Sequence, residues 1–319
     1  MKYRNYLFLL IFLSSSSIAQ NYPNKPIRLI VPVPPGGGAD FVARAYATRL
    51  SDALGQQVVV DNRGGAAGII AMEATAKAAP DGYTLIQTNI STISINPYMY
   101  AKLPYDAEKS FAPVSITTLN PLILVIHPSV AARTVPELVN VAKAKPGTVT
   151  YASLGSGSIQ HLAGFMFGKA AGVSLIHVPY KGAAPATVDL LAGQVNAAFS
   201  GIGTVVSHVR AGKLRGLATT GAKRIDTYAD LPTMKESGGP DMQIMLWNGI
   251  LAPAGTPAAI VKRLSDEINR IVKTSDLAQA MAAQGTSPVS NTPEEFAAFI
   301  KSEQAKFSKL VKESGIKLD

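Results

Sequence analysis

Ile27-Arg-Leu-Ile-Val31, then Pro32-Val-Pro-Pro-Gly-Gly-Gly-Ala-Asp40, then Phe41-Val-Ala-Arg-Ala-Tyr-Ala-Thr-Arg-Leu50 is the stretch on which the fold turns. The short β-branched run predicts a strand over 27–33, and apolar residues recurring at helical spacing predict a helix over 39–54. Three consecutive glycines between them mark a strand-to-helix turn. A strand over 57–60, a helix over 66–78 and a strand over 83–88 complete a βαβαβ order. Strands separated by helices of this length pair mostly in parallel through right-handed crossovers, so the first hundred residues read as one α/β domain.

The same rhythm then restarts. Strands expected over 122–126, 148–152, 175–178, 197–200 and 214–219 alternate with helices near 135–144, 159–171, 184–192 and 204–211, giving a second α/β domain. After it come the apolar stretch 242–252, the punctuation Pro253-Ala-Gly-Thr-Pro257, and two or three amphipathic helices between 258 and 315 that return the chain to the first domain. Segments 111–122 and 242–252 cross between the domains, one outward and one back. The expected fold class is therefore α/β, with two doubly wound α/β domains on a two-strand hinge. Residues 20–120 begin domain 1, 121–244 form domain 2, and 245–319 return to domain 1. Open α/β sheets bind ligands at the carboxyl ends of their strands, which places the expected site in the cleft between the domains.

Ahead of all this, Lys2 and Arg4 precede an apolar run from Leu7 to Leu13, and Ser17-Ile-Ala19 forms a small-x-small cleavage site. Residues 1–19 thus read as an export signal, the apolar run being far short of the roughly 20 residues that span a bilayer. Removing 19 residues and two cations, Lys2 and Arg4, from 319 residues at +9 leaves 300 residues at +7. Two domains suit that length. The chain has no cysteine, which excludes a lipid-anchored lipoprotein, structural disulfides and thiol-bound metals, and the expected compartment is the periplasm. Lys and Arg come singly or in pairs such as Lys223-Arg224, with no stripe and no interleaved stacking aromatics. That pattern argues for a solvated basic surface and against nucleic-acid binding.

Two loops carry the candidate chemistry. The turn containing Pro35, Gly36, Gly37 and Gly38 opens a helix whose unpaired N-H groups can hold a carboxylate or phosphate without Lys or Arg. Ser153-Leu-Gly-Ser-Gly-Ser-Ile-Gln-His161 occupies the equivalent place in the second domain and adds Ser153, Gly155, Ser156, Gly157, Ser158 and His161. Facing one another across the cleft, such loops would grip a small anion from both sides.

At these residues the chain resembles the tripartite tricarboxylate transporter receptors, the family that includes the Bordetella-type Bug solute-binding proteins. The resemblance covers nearly the whole mature chain. It rests on 34–40, Asp61-Asn-Arg-Gly-Gly-Ala-Ala-Gly68, Pro80-Asp-Gly-Tyr-Thr-Leu85 and Tyr151-Ala-Ser-Leu-Gly-Ser-Gly-Ser158. It continues through Pro179-Tyr-Lys-Gly182, Ala211-Gly-Lys-Leu-Arg215, Leu231-Pro-Thr-Met-Lys-Glu236, Trp247-Asn-Gly and Ala252-Pro-Ala-Gly-Thr-Pro257. The resemblance implies a type II periplasmic-binding-protein fold whose ligands are organic acids, acidic amino acids or aromatic carboxylates. It also implies that the loops at 34–40 and 153–161 grip the carboxylate, partly through ordered water. Ser110 and Asp61 depart from the family pattern, which usually has Asp and Glu there, and neither lies in a gripping loop.

Asp40 sits in the first helical turn, where it serves the helix dipole, holds the loop amides in order or touches ligand. Asn89, Ser91, Ser200, Tyr180 and Lys181 follow strands at their carboxyl ends and are candidates to line the cleft, whereas Trp247 either packs beside the hinge or walls the pocket. No Gly-x-Ser-x-Gly elbow, phosphate loop or His-Glu-x-x-His pair is present, so neither catalytic residues, metal nor cofactor are expected. The expected function is a monomeric solute-binding protein for a small carboxylate, handing it to membrane subunits of a tripartite transporter. Two other classes stay open on sequence: a sensing input to a membrane kinase, and a hydrolase with an unrecognised serine.

Overall fold

The computed structural model describes residues 22–36, 38–225, 228–283 and 285–318. The expected export signal over 1–19, and Gly37 of the first loop, lie outside the described residues.

Strand β1 (Ile27–Val31) pairs in parallel with β2 (Val58–Asn62) and β3 (Thr84–Asn89). Side chains alternate across a strand, so its two faces serve different cores. Ile27, Leu29 and Val31 pack on one side with Val42, Tyr46 and Leu50 of helix α1 (Gly38–Leu54) and Leu264 and Ile268 of α8 (Ala258–Val272). Ile30 belongs to the opposite core with Met72 of α2 (Ile69–Ala76). Each such buried aliphatic side chain contributes about 1.5–3 kcal/mol of transfer free energy.

After β3 the chain makes one π-type turn over Ser91–Ile95 and a short helix α3 (Asn96–Met99), then enters β4 (Phe111–Ile126). The sequence pattern predicts a crossing segment over 111–122 and a separate strand over 122–126, yet one strand runs unbroken for 16 residues. Pairing on both flanks carries it through: Phe111 to Pro121 pair antiparallel with β9 (Met245–Pro253), and Leu122 to Ile126 pair with β7 (Ala197–Gly201). The register shifts between Pro113 and Ser115 and between Ile116 and Thr118, the first of these at a proline, which has no donor for the ladder.

The second part of the sheet is built from β5 (Thr150–Ser153), β6 (Ile176–Pro179), β7 and β8 (Arg215–Thr219). Helices α4 (Val135–Ala144), α5 (Ile159–Ala171), α6 (Ala183–Leu191) and α7 (Ile202–Arg210) connect them. Among the described residues nine strands form one curled sheet, ordered β2-β1-β3-β9-β4-β7-β5-β6, with β8 paired to β4. Here β5 pairs in parallel with β6 and with β7, in keeping with the mostly parallel pairing expected. The crossing strands β4 and β9 are the antiparallel members, a consequence of one leaving and one returning. Helices α8, α9 (Ser275–Ala283) and α10 (Pro293–Ser314) complete the chain, α10 opening on a capping box of Thr292 and Glu295 with Pro293 in its first turn.

Between α9 and α10 the segment 285–288 runs beside β4. The Asn120 side chain donates to Thr286 Oγ1 at 2.6 Å and accepts from the Ser287 amide at 2.8 Å, and Thr118 bridges to Pro288. A third strand of chain thus accompanies the two crossing strands, which the sequence pattern did not reveal.

Candidate binding cleft

A cleft of about 630 Å³ opens between the two parts of the sheet. Its floor is the crossing ribbon, represented by Asn120 of β4, Leu246, Trp247 and Asn248 of β9, and Gly285 and Thr286 beside them. One wall is the start of α1 with Asn89 and Ser91 after β3. The other is formed by the starts of α5, α6 and α7, through Ser158 and Ile159, Ala183, and Gly201 to Thr204. Four helix N-termini therefore line one cavity. Helices α6 and α7 begin after Gly182 and Gly201, and neither has a side-chain cap, so their first-turn N-H groups stay available.

Among the described residues that line the cleft, none is Asp, Glu, Lys, Arg or His. The electrostatic character comes instead from the helix ends, each equivalent to roughly half a positive charge. Ser91, Gln160, Ser200 and Thr204 line the cleft and make no side-chain hydrogen bond within the described residues, so they too can serve a ligand.

The first loop is held from behind. Asp40 is buried and accepts from the Gly36 amide at 2.9 Å, from Asn62 Nδ2 at 2.8 Å and from Arg44 Nε at 3.0 Å. Burial by itself would raise this carboxyl, but Arg44, the Gly36 amide and Asn62 together hold it below the usual carboxylate range. Gln87 Nε2 reaches the Ala39 carbonyl at 2.5 Å from the strand beneath. Gly36 has φ +92°, a conformation that favours glycine.

The second loop is fixed by a different device. Gly155 and Gly157 have φ +116° and +78°, and Ser158 caps α5 by accepting from the His161 amide. The Gly157 N-H donates to His161 Nδ1 at 3.2 Å, and Ser153 Oγ lies 2.5 Å from His177 Nε2. Ser153 is 1% exposed and does not line the cleft, so this Ser-His pair is a brace beneath the loop.

Of the residues singled out from sequence, Gly38, Asn89, Ser91, Ser158, Ser200 and Trp247 line the cleft. Asn89 gives its side-chain oxygen to the amides of Ser91 and Thr92. Trp247 is 1% exposed, with its indole N-H on Glu303 of α10 and its ring edge-on to Phe296 and Phe299. Pro35, Gly36, Asp40, Ser153, Gly155, Ser156, Gly157 and His161 belong to the two loops or their supports and lie outside the lining. Tyr180 is turned away, donating to Asp189 at 2.7 Å; burial first, and then the Asp189 carboxylate, push its hydroxyl up to about 12. Lys181 is exposed and also outside the lining.

Sequence reasoning passed over Ser200-Gly-Ile-Gly-Thr204 as a loop, although it carries the same signal as the other two: glycines between a strand and a helix. It also passed over Asn120, Asn248 and Thr286, whose position depends on the crossing ribbon.

Three comparisons bear on this geometry. The model of the family described as tripartite tricarboxylate transporter family receptor matches residues 42–316. Protein BugT of Bordetella pertussis (strain Tohama I) is 38% identical over 97% of this chain and 96% of its own. Among solved structures, periplasmic binding protein BugD superposes with a TM-score of 0.77 at 33% identity, covering 93% of this chain and 99% of that one. An adipate-bound protein of R. palustris superposes with a TM-score of 0.82 at 32% identity, again over 93% and 99%.

Proposed function

We propose, from the premise that this chain belongs to the tripartite tricarboxylate transporter receptor family, that it is an exported solute-binding protein which closes on a small carboxylate and passes it to the membrane subunits of such a transporter. Residues 22–120 with 245–318 act as one jaw and 121–244 as the other, and the ribbon of β4 and β9 bends between them. The observation that carries this reading is the cleft itself, which among the described residues is without charged side chains and is lined by four helix N-termini. Preorganised amides of this kind favour an anion. Two relatives support the ligand class: the R. palustris structure with adipate, and MatC from Rhodopseudomonas palustris with bound malate. The helix starts at Gly38, Ser158, Ala183 and Ile202 are assigned to the carboxylate, with Ser91, Ser200 and Thr204 as neutral donors.

No helix among the described residues is long and apolar enough to cross a membrane, and none of their His, Asp and Glu side chains group in threes to hold a metal ion. Native mass spectrometry of freshly purified protein tests the proposal directly. A retained carboxylic acid, released unaltered after prolonged incubation, is the expected outcome; a retained sugar or metal ion, or a processed product, would overturn it.

A further inference from the structure

The last helix meets the cleft from behind at several points. On the floor, Glu303 of α10 accepts from the Trp247 indole. On the wall of the first jaw, Gln304 donates from Nε2 to the Ile93 carbonyl at 3.0 Å, inside the π-type turn that carries Ser91. Both side chains are buried and partnered, so they fix α10 to the floor and to that turn.

The same helix also touches the second jaw, although the course of the chain assigns it to the first. Ile159 and Phe167 of α5 share one core with Phe307, Leu310 and Val311 of α10. At the rim Lys169 Nζ lies 2.6 Å from Glu313 Oε2. Beyond Gly315, whose φ of +68° turns the chain, Ile316 and Leu318 fold back onto that core, and the Leu318 amide donates to the Met99 carbonyl at 3.0 Å. Met99 and Leu318 together receive Gly157 of the second jaw, so closely that a Cβ on that glycine would overlap both. Gly157 immediately precedes Ser158, which caps α5 and lines the cleft. A glycine has no side chain to anchor it, so this seat and the bond from its amide to His161 are what hold it.

We infer that the segment from Glu313 to Leu318 clasps the second jaw to the first, and that Leu318 is a positioning residue: it holds the loop 153–158, and through Ser158 the start of α5, where a ligand needs them. The inference rests on the two-jaw reading above and adds a contact between the jaws that does not run through the ribbon of β4 and β9. A loop already held in its binding arrangement has less freedom to lose when the ligand arrives, so part of the affinity is set outside the cleft.

The test is amide hydrogen exchange on the full chain, read by mass spectrometry without ligand. Leu318 is half-buried, so Leu318→Asp removes its packing without leaving a sealed cavity, and Leu318→Met keeps an apolar side chain of similar size. In Leu318→Asp the amides of 155–162 are expected to exchange about tenfold faster, while those of 27–31 and 258–272 keep the parent's rates. Leu318→Met is expected to stay near the parent throughout. Where adipate or malate binds the parent, Leu318→Asp should also weaken it several-fold. Unchanged exchange at 155–162 would overturn the clasp, and so would a rise throughout the chain, which would make Leu318 a general stabiliser. Faster exchange with undiminished affinity would overturn its role in binding. Each of these results leaves the carboxylate reading intact, because that reading is decided by the molecule retained on purification.

Discussion

The imidazole rings of His161 and His177 lie stacked, their centroids 3.6 Å apart and their planes within 5°. Each ring uses a nitrogen to support the loop 153–158, His161 by accepting the Gly157 amide and His177 through Ser153. Burial in the first place, and His177 beside it in the second, lower His161 from 6.5 to about 4, and burial lowers His177 as well. The unfolded chain takes up these protons first as pH falls. The contribution of His161 to stability is thus complete above about pH 6.5 and is lost progressively down through about pH 4. His161→Asn keeps an acceptor for Gly157 but cannot titrate, so its melting temperature should fall less over that window. Equal acid sensitivity in the variant and the parent would refute the assignment.

Gly157 adopts φ +78°, and a Cβ there would lie 2.7 Å from Met99 Sδ and 2.9 Å from Leu318 Cδ1. Gly157→Ala should cost about 1–3 kcal/mol of stability and weaken ligand binding, because the loop must shift. Lys181→Ala, at an exposed residue outside the cleft lining, should stay within about 0.5 kcal/mol and bind almost normally. Denaturant unfolding and calorimetry on the two variants check the ranking, and the opposite order would count against capture by backbone amides.

Trp247 donates to Glu303 Oε2 at 3.2 Å, and Lys306 pairs with the other oxygen of the same buried carboxylate. Glu303→Leu leaves an indole N-H and a lysine without their acceptor, at a cost of about 1–3 kcal/mol, and Glu303→Gln should cost less. As the single tryptophan of the chain and part of the cleft floor, Trp247 should also report occupancy through its fluorescence. Emission that stays constant while calorimetry shows binding would place the ligand elsewhere.

Mass action links binding to melting. A ligand at a hundredfold excess over its dissociation constant stabilises the closed protein by about 2.7 kcal/mol, worth several degrees for a chain of this size. The matching acid should raise the midpoint, and its amide or methyl ester should not. A scanning-fluorimetry panel in which esters and acids shift alike would mean that the helix ends do not read charge.

The doubly wound order, the helices and the two glycine loops were legible because they follow from hydrophobic period and from turn chemistry, which are local. So was the placement of Gly38, Asn89, Ser91, Ser158 and Ser200, since the carboxyl ends of strands in such sheets point to one place. Other features were not. Tyr180 satisfies that rule yet turns to Asp189, a partner nine residues on that only the packed helix brings within reach. Asn120 and Thr286 are 166 positions apart and meet only because a third segment lies beside β4. The stacked histidines, 16 residues apart, depend on β6 lying beside β5 and on α5 crossing over both.

The pairing of β9 between β3 and β4 has a consequence for the order in which the molecule can assemble. Ile86 waits for Leu251, and Pro113 for the same residue, so the flank of β3 stays open until the whole intervening unit has been made. Contacts of such sequence separation form slowly, and an unpaired strand flank is a template for wrong partners. Residues 121–244 close their own part of the sheet with nearby strands and can collapse early. The first part cannot, and the last helices act as its closing step: α8 covers the face of β1 only after β9 has filled the gap. Refolding should accordingly be limited by the docking of the segment from Met245 onward, and a fragment ending before β9 should expose sheet and aggregate.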